Sequence, residues 1–339
     1  MTVTPDLSAL AAAPVCDLAP YEPGKPPDEL EREYGVRDAI KLASNENPRG
    51  PSPRVLLAME TAAAEINRYP DGSGYYLHQS LAQHLGVDAG QVTLGNGSND
   101  ILVMLAEAFL TPDVSAVYDE YSFVIYRTAV QATGAESRDA RSVAPGEAGA
   151  LGHDREALLA LVVATTRLIF IANPNNPTGT WAGTDAVRDF LERVPAEVIV
   201  VLDEAYFEYA LADDYEDTVP WLSKFPNLVI VRTFSKAFGL AGLRVGYSVS
   251  SAAIAELLNR VRQPFNVNHI ALAAAKAALE DRQWISQTIE RNRRGMQLLQ
   301  NGLQELGIPF IPSRANFLLA YFGSDAQACN EYLLQHGVI

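Results

Sequence analysis

The chain has 339 residues and a net charge of −15; 48% of its residues are hydrophobic and 20% are charged. This composition is typical of a globular protein with one large and one smaller domain, or with two equal domains. The negative charge argues against nucleic acid or an anionic membrane as the main partner. No apolar run approaches the roughly 18 residues of a membrane span, and residues 1–14 lack the basic start of a signal peptide. Cys16 and Cys329 fit no metal-binding spacing and favour a reducing, cytoplasmic compartment.

The first part of the chain is rich in proline, and residues 20–27 predict an extended arm. A short strand is expected to begin at Lys41, followed by helices at 53–67 and 76–85. From residue 91, strands and helices alternate. We predict strands at 91–94, 114–118, 167–172, 198–202, 228–232 and 244–249, and helices at 101–110, 123–132 and 186–194. This order favours an α/β fold with a mostly parallel sheet, in which ligands bind at the carboxyl ends of the strands.

After Ser251 the pattern changes to longer helices and short strands, which predicts a smaller α+β domain. The expected helices are 252–262, 270–279, 284–306 and 325–336, and the expected strands are 308–311 and 316–321. The predicted division is an N-terminal arm that also forms part of the small domain (1–40), a large domain (41–262) and a C-terminal small domain (263–339).

One predicted strand end combines an amine, two hydroxyls and a guanidinium. Of the five lysines, only Lys236 follows a buried strand and precedes a glycine turn. Thr233 and Ser235 stand just before it, and Arg244 lies eight residues further on. These groups suit an aldehyde cofactor that carries a phosphate. The alternatives are a solvated turn lysine and an arginine in a surface ion pair.

Other predicted strand ends carry groups that the same kind of cofactor would need. Ser98 and Asn99 open a helix whose free N–H groups could hold a phosphate, or they are simply helix caps. Asp203 could pair with a protonated ring nitrogen, or cap a helix. Tyr206 could donate to a phenolic oxygen, or be an ordinary half-buried tyrosine. Asn176 precedes a Pro-Thr-Gly turn that would direct its amide, or it only forms the turn.

Several other chemistries lack their motifs. The sequence contains no P-loop and no G-x-S-x-G, and residues 95–100 lack the third glycine of a dinucleotide-binding loop. The five histidines form no ligand pattern, so no metal site is predicted.

Three motifs resemble the core of the class I/II aminotransferases, which are pyridoxal-phosphate enzymes. They are Asn-Pro-Asn-Asn-Pro-Thr-Gly at 173–179, Asp-Glu-Ala-Tyr at 203–206, and the Thr-Phe-Ser-Lys segment at 233–244. Residues 20–26, 42–48, 68–72 and 315–317 resemble the histidinol-phosphate subgroup of that family. The resemblance implies a seven-stranded, mostly parallel sheet between helices (fold type I) and a homodimer with shared active sites.

The resemblance also implies a role for each candidate residue. Lys236 would bind the cofactor as an aldimine, Asp203 would face the pyridinium nitrogen, and Asn176 and Tyr206 would bond the phenolic oxygen. The residues expected to hold the phosphate are Ser98, Asn99, Thr233, Ser235 and Arg244. Those expected to complete the site are Phe123, stacked on the ring, Tyr21, over the substrate, and Tyr69, contributed by the neighbouring subunit.

The implied reaction is a ping-pong transamination in histidine biosynthesis. Histidinol phosphate would become imidazole acetol phosphate, and 2-oxoglutarate would become glutamate. The same motifs also occur in aromatic amino acid aminotransferases and threonine-phosphate decarboxylases, and a non-catalytic relative is a third alternative. The resemblance further implies a strand with a substrate-binding arginine, and then a second arginine, after Gly337-Val-Ile339. A protein that ended at Ile339 is therefore expected to bind acidic substrates weakly.

Overall fold

A computed structural model describes residues 10–212 and 214–339. The α-helices are α1 Ala13–Cys16, α2 Pro27–Tyr34, α3 Pro53–Ala63, α4 Tyr75–Leu85, α5 Ser98–Phe109, α6 Val124–Ala132, α7 Arg155–Ala160, α8 Thr184–Arg193, α9 Phe207–Ala210, α10 Ala252–Val261, α11 His269–Glu280, α12 Arg282–Glu305 and α13 Ala326–Gln335. The strands are β1 Val92–Gly95, β2 Ser115–Asp119, β3 Glu136–Ala140, β4 Thr166–Ala172, β5 Ile199–Asp203, β6 Leu228–Thr233, β7 Gly246–Val249, β8 Phe310–Ile311 and β9 Leu319–Ala320. None of the helices in these ranges is long and apolar enough to cross a membrane.

The central element is a seven-stranded sheet with the order β1-β7-β6-β5-β4-β2-β3. All neighbouring pairs are parallel except those of β7, which runs antiparallel to both β1 and β6. The carboxyl ends of β1, β2, β4, β5 and β6 therefore lie at one edge of the sheet. The predicted α/β fold with a mostly parallel seven-stranded sheet is confirmed.

Helices cover both faces of the sheet because its strands are apolar on both sides. In β5, Val200 and Leu202 join one hydrophobic core, whereas Val201 joins the other. The first core also contains buried side chains of α3, α4, α8 and α11, and the second contains those of α5, α6 and α10. The two layers of helices hold the polar edge of the sheet rigidly between them.

Glu204, which follows Asp203 at the end of β5, forms a buried ion pair with Arg232. Glu204 accepts hydrogen bonds from Arg232 Nε at 2.9 Å and Nη2 at 2.7 Å, and from the Thr218 hydroxyl at 2.8 Å. Removing one partner of such a buried pair is far more costly than removing an exposed one. This pair therefore joins the ends of β5 and β6, which carry Asp203 and Thr233.

The last residues of the described chain pair with residues 40–42. Ile40 N–H donates to Gly337 O at 2.7 Å, Ile339 N–H donates to Ile40 O at 3.0 Å, and Leu42 N–H donates to Ile339 O at 2.7 Å. Between them, β8 and β9 form a small antiparallel hairpin after the long helix α12. The division into arm, large domain and small domain stays a prediction.

Several predicted elements differ from the structure. Lys41 starts no strand: Ile40 forms an isolated bridge with Val338, and a 3₁₀ turn follows at Ala43–Asn45. The strand expected from Arg244 begins at Gly246, because Arg244 adopts a left-handed backbone conformation (φ 55°). The helix expected to reach residue 67 ends at Ala63. Helices α2 and α7 and strand β3 were not predicted: α2 and β3 are mostly polar, and the six residues of α7 are too few to show a helical period.

Candidate active site

A pocket of about 560 Å³ opens where the strands end, as expected for a doubly wound sheet. It is lined by these predicted site residues: Tyr21, Ser98, Asn99, Phe123, Asn176, Asp203, Tyr206, Thr233, Ser235, Lys236 and Arg244. Tyr69 is the exception. It is 82% exposed and stacks on Phe265 with ring centroids 4.7 Å apart, away from the described lining of this pocket.

Lys236 lies at the first turn after β6 and points its amine into the pocket. Its Nζ donates a hydrogen bond to Ser44 O at 2.9 Å and lies 5.6 Å from the centre of the Tyr206 ring. Burial lowers the pKa of Lys236 to about 8, with Glu46 opposing the effect and Arg244 adding to it. A sizeable fraction of the amine is therefore neutral near physiological pH, which is the form that acts as a nucleophile or base.

Asp203 is a buried carboxylate whose hydrogen-bond donors are neutral. Tyr126 Oη donates to its Oδ2 at 2.8 Å, and Ala205 N–H donates to its Oδ1 at 3.1 Å. Burial raises the pKa of Asp203 to about 6 despite these bonds. A protonated ring nitrogen placed in the pocket would supply the positive charge that this carboxylate needs.

The phosphate-binding candidates form one connected cluster. Thr233 Oγ1 donates to Ser235 Oγ at 3.0 Å, and Arg244 Nη1 donates to the same oxygen at 3.2 Å. Ser98 and Asn99 form the first turn of α5, whose free N–H groups attract anions. Two hydroxyls, a guanidinium and a helix start together suit a phosphate.

Gly97 allows this cluster to form. Its φ of 80° is left-handed, and a Cβ at this position would lie 2.3 Å from Arg244 Nη2. Any larger residue would push the guanidinium away from the start of α5.

The turn that carries Asn176 is held by its neighbours. Asn175 Nδ2 donates to Tyr121 O at 2.8 Å and to Thr178 Oγ1 at 2.9 Å, while Asn173 Nδ2 donates to Ala182 O at 3.0 Å. These bonds fix the turn between β4 and α8, so that Asn176 lines the pocket.

Four further residues of the site were missed from the sequence: Ser44, Asn45 and Glu46 line the pocket, and Tyr126 donates to Asp203. The first three lie within a recognised motif, but nothing local indicates that they reach Lys236 and Tyr206, which are distant in sequence. Tyr126 lies three residues after Phe123, one helical turn along, and that spacing was a usable signal. Phe123 and Tyr126 pack edge to face with centroids 6.0 Å apart.

The geometry suits pyridoxal phosphate. A partly neutral lysine can bind an aldehyde, a buried carboxylate can face a ring nitrogen, and hydroxyl and guanidinium groups can bind a phosphate. Asn176 and Tyr206 add an amide and a hydroxyl to the same pocket. A site of this composition activates the substrate amine through the bound aldehyde.

Comparison with known families agrees with this geometry. The pattern of the family "Aminotransferase class I and II" matches residues 37–339. The chain therefore belongs to the class I and II aminotransferases.

Within that class, the chain is similar over nearly its whole length to proteins that share one name. It is 54% identical over 336 residues to histidinol-phosphate aminotransferase 2 of Pseudomonas aeruginosa, covering 98% of this chain and 89% of that protein. It is 52% identical over 333 residues to histidinol-phosphate aminotransferase 2 of Pseudomonas fluorescens, covering 98% and 88%. The crystal structure of histidinol-phosphate aminotransferase from Sinorhizobium meliloti in complex with pyridoxal-5'-phosphate has 29% identity and a TM-score of 0.87, covering 97% of this chain and 88% of that one.

Proposed function

We propose that this aminotransferase uses pyridoxal phosphate to transfer the amino group of histidinol phosphate to 2-oxoglutarate, giving imidazole acetol phosphate and glutamate. The observation that carries the substrate assignment is the 54% identity over 336 residues to a histidinol-phosphate aminotransferase. The pocket supports the use of pyridoxal phosphate, because its lining residues supply a partner for each functional group of that cofactor.

The proposal gives each side chain a definite task. Bound pyridoxal phosphate would supply an electron-withdrawing ring that stabilises negative charge at the substrate carbon. Lys236 would bind the cofactor aldehyde and, once displaced by the substrate amine, its Nζ would move the proton from the substrate carbon. Asp203 would keep the ring nitrogen protonated. Asn176 and Tyr206 would hold the phenolic oxygen, and Phe123 would pack on the ring.

The phosphate group of the cofactor would be bound at the start of α5 and at the end of β6. The residues proposed for it are Ser98, Asn99, Thr233, Ser235 and Arg244. Tyr21 lines the outer part of the pocket and is 60% exposed, which suits a residue that covers the substrate.

We also propose that the protein works as a homodimer and that Tyr69 contributes to the partner's site. Its location supports this, because large side chains are exposed together in this region: Ile66, Tyr69, Tyr75, Tyr76 and Phe265. A cytoplasmic location belongs to the same proposal, since the free cysteines Cys16 and Cys329 suit a reducing compartment.

The test is a half-reaction followed by absorption spectroscopy. Purified protein loaded with pyridoxal phosphate is mixed with histidinol phosphate, and the cofactor band is expected to convert to that of the amine form. Addition of 2-oxoglutarate should restore the first band. No conversion with histidinol phosphate, together with conversion by phenylalanine or threonine phosphate, would contradict the proposed substrate while leaving the cofactor assignment intact.

A further inference from the structure

The turn that contains Ser44 and Asn45 contacts two side chains of the proposed mechanism, those of Lys236 and Tyr206. Ser44 O accepts a hydrogen bond from Lys236 Nζ, and Asn45 Nδ2 donates to Tyr206 Oη at 2.9 Å. Resting on the proposed function, we infer that Asn45 is a positioning residue. By donating to the Tyr206 oxygen, it directs the hydroxyl proton of Tyr206 into the pocket, toward the phenolic oxygen of the bound cofactor.

The inference follows from the single proton of a tyrosine hydroxyl. An oxygen that accepts an amide N–H directs its own O–H elsewhere. Within the part of the chain that the structure describes, Asn45 is the one hydrogen-bond partner of the Tyr206 hydroxyl. Tyr206 is only 2% exposed, and Phe317 packs edge-on against its ring with centroids 5.3 Å apart. The ring is thus confined, and its proton is free for an acceptor inside the pocket.

Asn45 is held in place by its backbone. Ser44 and Asn45 both have left-handed conformations, with φ values of 64° and 53°. Such conformations are uncommon outside glycine, although asparagine tolerates them, and residues that adopt them cluster at functional sites. The Asn45 carbonyl also accepts a hydrogen bond from Asn316 Nδ2 at 3.0 Å. A segment near the C-terminal end of the described chain therefore supports a group that contacts Tyr206.

The charge of the cofactor is the quantity that this contact controls. A donated O–H stabilises negative charge on the phenolic oxygen, and this favours the deprotonated form of the cofactor's link to Lys236. In the protein without cofactor, the hydrogen bond from Asn45 likewise favours negative charge on the Tyr206 oxygen, because it opposes the rise that burial causes in the pKa of Tyr206. Loss of Asn45 should therefore raise the pH midpoint at which the visible band of the bound cofactor changes.

The most direct variant is Asn45→Gly, because glycine keeps the left-handed backbone at no steric cost. A spectrophotometric pH titration of the loaded protein should show the midpoint raised by about 0.5–1 pH unit, the size of one hydrogen bond. Tyr206→Phe should raise it at least as much. Adding Asn45→Gly to Tyr206→Phe should cause no further shift, because the proton that Asn45 directs is already gone. Asn301→Ala, on the exposed side of α12, is the matched control and should leave the midpoint unchanged.

A second variant tests the direction of the hydrogen bond. Asn45→Asp offers only acceptor oxygens, so it should capture the proton of Tyr206 and shift the midpoint at least as far as Asn45→Gly. An unchanged midpoint in Asn45→Asp would mean that Tyr206 already donates to Asn45, which would overturn the inference. An unchanged midpoint in Asn45→Gly, or an equal shift in the Tyr206→Phe background, would also overturn it. Absence of a visible band in the unmodified protein would instead overturn the proposed function and the inference together.

Discussion

The two sides of the pocket are built differently. The inner side consists of strand ends and the turns directly after them: Asp203 is 5% exposed and Thr233 is 3% exposed. The outer side consists of segments that arrive from elsewhere in the chain. Ser44 is 192 residues from Lys236, with which it shares a hydrogen bond, and Asn316 is 271 residues from Asn45.

This difference separates two tasks. Groups on the inner side are fixed mainly by the sheet and by two layers of packed helices, and the outer segments reach them through contacts such as Ser44 with Lys236 and Asn45 with Tyr206. Groups on the outer side depend on contacts between half-exposed segments, which open more easily. We therefore expect substitutions inside to affect the chemistry and the binding of the cofactor. Substitutions outside should affect the substrate and, through the contact of Asn45 with Tyr206, the charge of the bound cofactor, while cofactor affinity stays close to that of the unmodified protein.

The largest expected effect comes from Lys236→Ala. Loss of the amine should lower turnover with histidinol phosphate and 2-oxoglutarate by about 10²–10⁴-fold or more, since the variant lacks its base and nucleophile. Borohydride reduction followed by mass spectrometry should no longer attach the cofactor to the chain. Lys224→Ala, an exposed lysine paired with Glu192, is the control. A reducible link that persists in Lys236→Ala would contradict the assignment.

Asp203→Asn should separate stability from activity. In the folded protein burial raises the pKa of Asp203 from 3.8 to about 6, so the unfolded chain loses this proton at a lower pH than the folded one. The free energy of unfolding therefore falls as the pH rises from about 4 to about 6, and the cost persists above that range. The variant should stabilise the cofactor-free protein at pH 7 by up to about 3 kcal/mol, and this gain should vanish below pH 4.

Thermal unfolding at several pH values measures this effect, and turnover should fall at the same time. Asp185→Asn is a suitable control because its side chain is 99% exposed. Equal stability of Asp203→Asn and the unmodified protein at every pH would show that the buried carboxylate carries no cost.

Arg244→Ala should weaken binding of pyridoxal phosphate about 10- to 150-fold, because a hydrogen bond to a charged group contributes about 1.5–3 kcal/mol. Titration of the cofactor-free protein by absorbance measures the affinity. Arg293→Ala, in an exposed ion pair with Glu290, should leave it unchanged. An unaltered affinity in Arg244→Ala would remove this residue from the phosphate site.

Asn316→Ala should have the smallest effect. It loses one hydrogen bond to the Asn45 carbonyl, worth about 1 kcal/mol, so KM for histidinol phosphate should rise less than tenfold. The affinity for pyridoxal phosphate should stay close to that of the unmodified protein. A loss of cofactor affinity as large as that of Arg244→Ala would show that the two sides of the pocket are not separable.

Much of the inner side could be predicted because its signals are local. An apolar strand followed at once by a polar residue shows both the burial of the strand and the position of the polar group, as for Asp203 after β5 and Thr233 at the end of β6. The sheet and most of its helices were predicted for the same reason. Strand β3 was missed because it has too few apolar positions to alternate, and helix α7 was missed because six residues are too few to show a helical period.

The amino-acid sequence by itself determined the fold class, the polar strand ends and the lysine at the centre of the pocket, because each depends on neighbours in the chain. Only the tertiary structure decided which distant groups complete the site. It places Ser44 against Lys236 and Asn45 against Tyr206. It also turns Arg244 into a left-handed conformation beside Gly97. These contacts depend on how separate segments pack, and no local pattern of residue types records that packing.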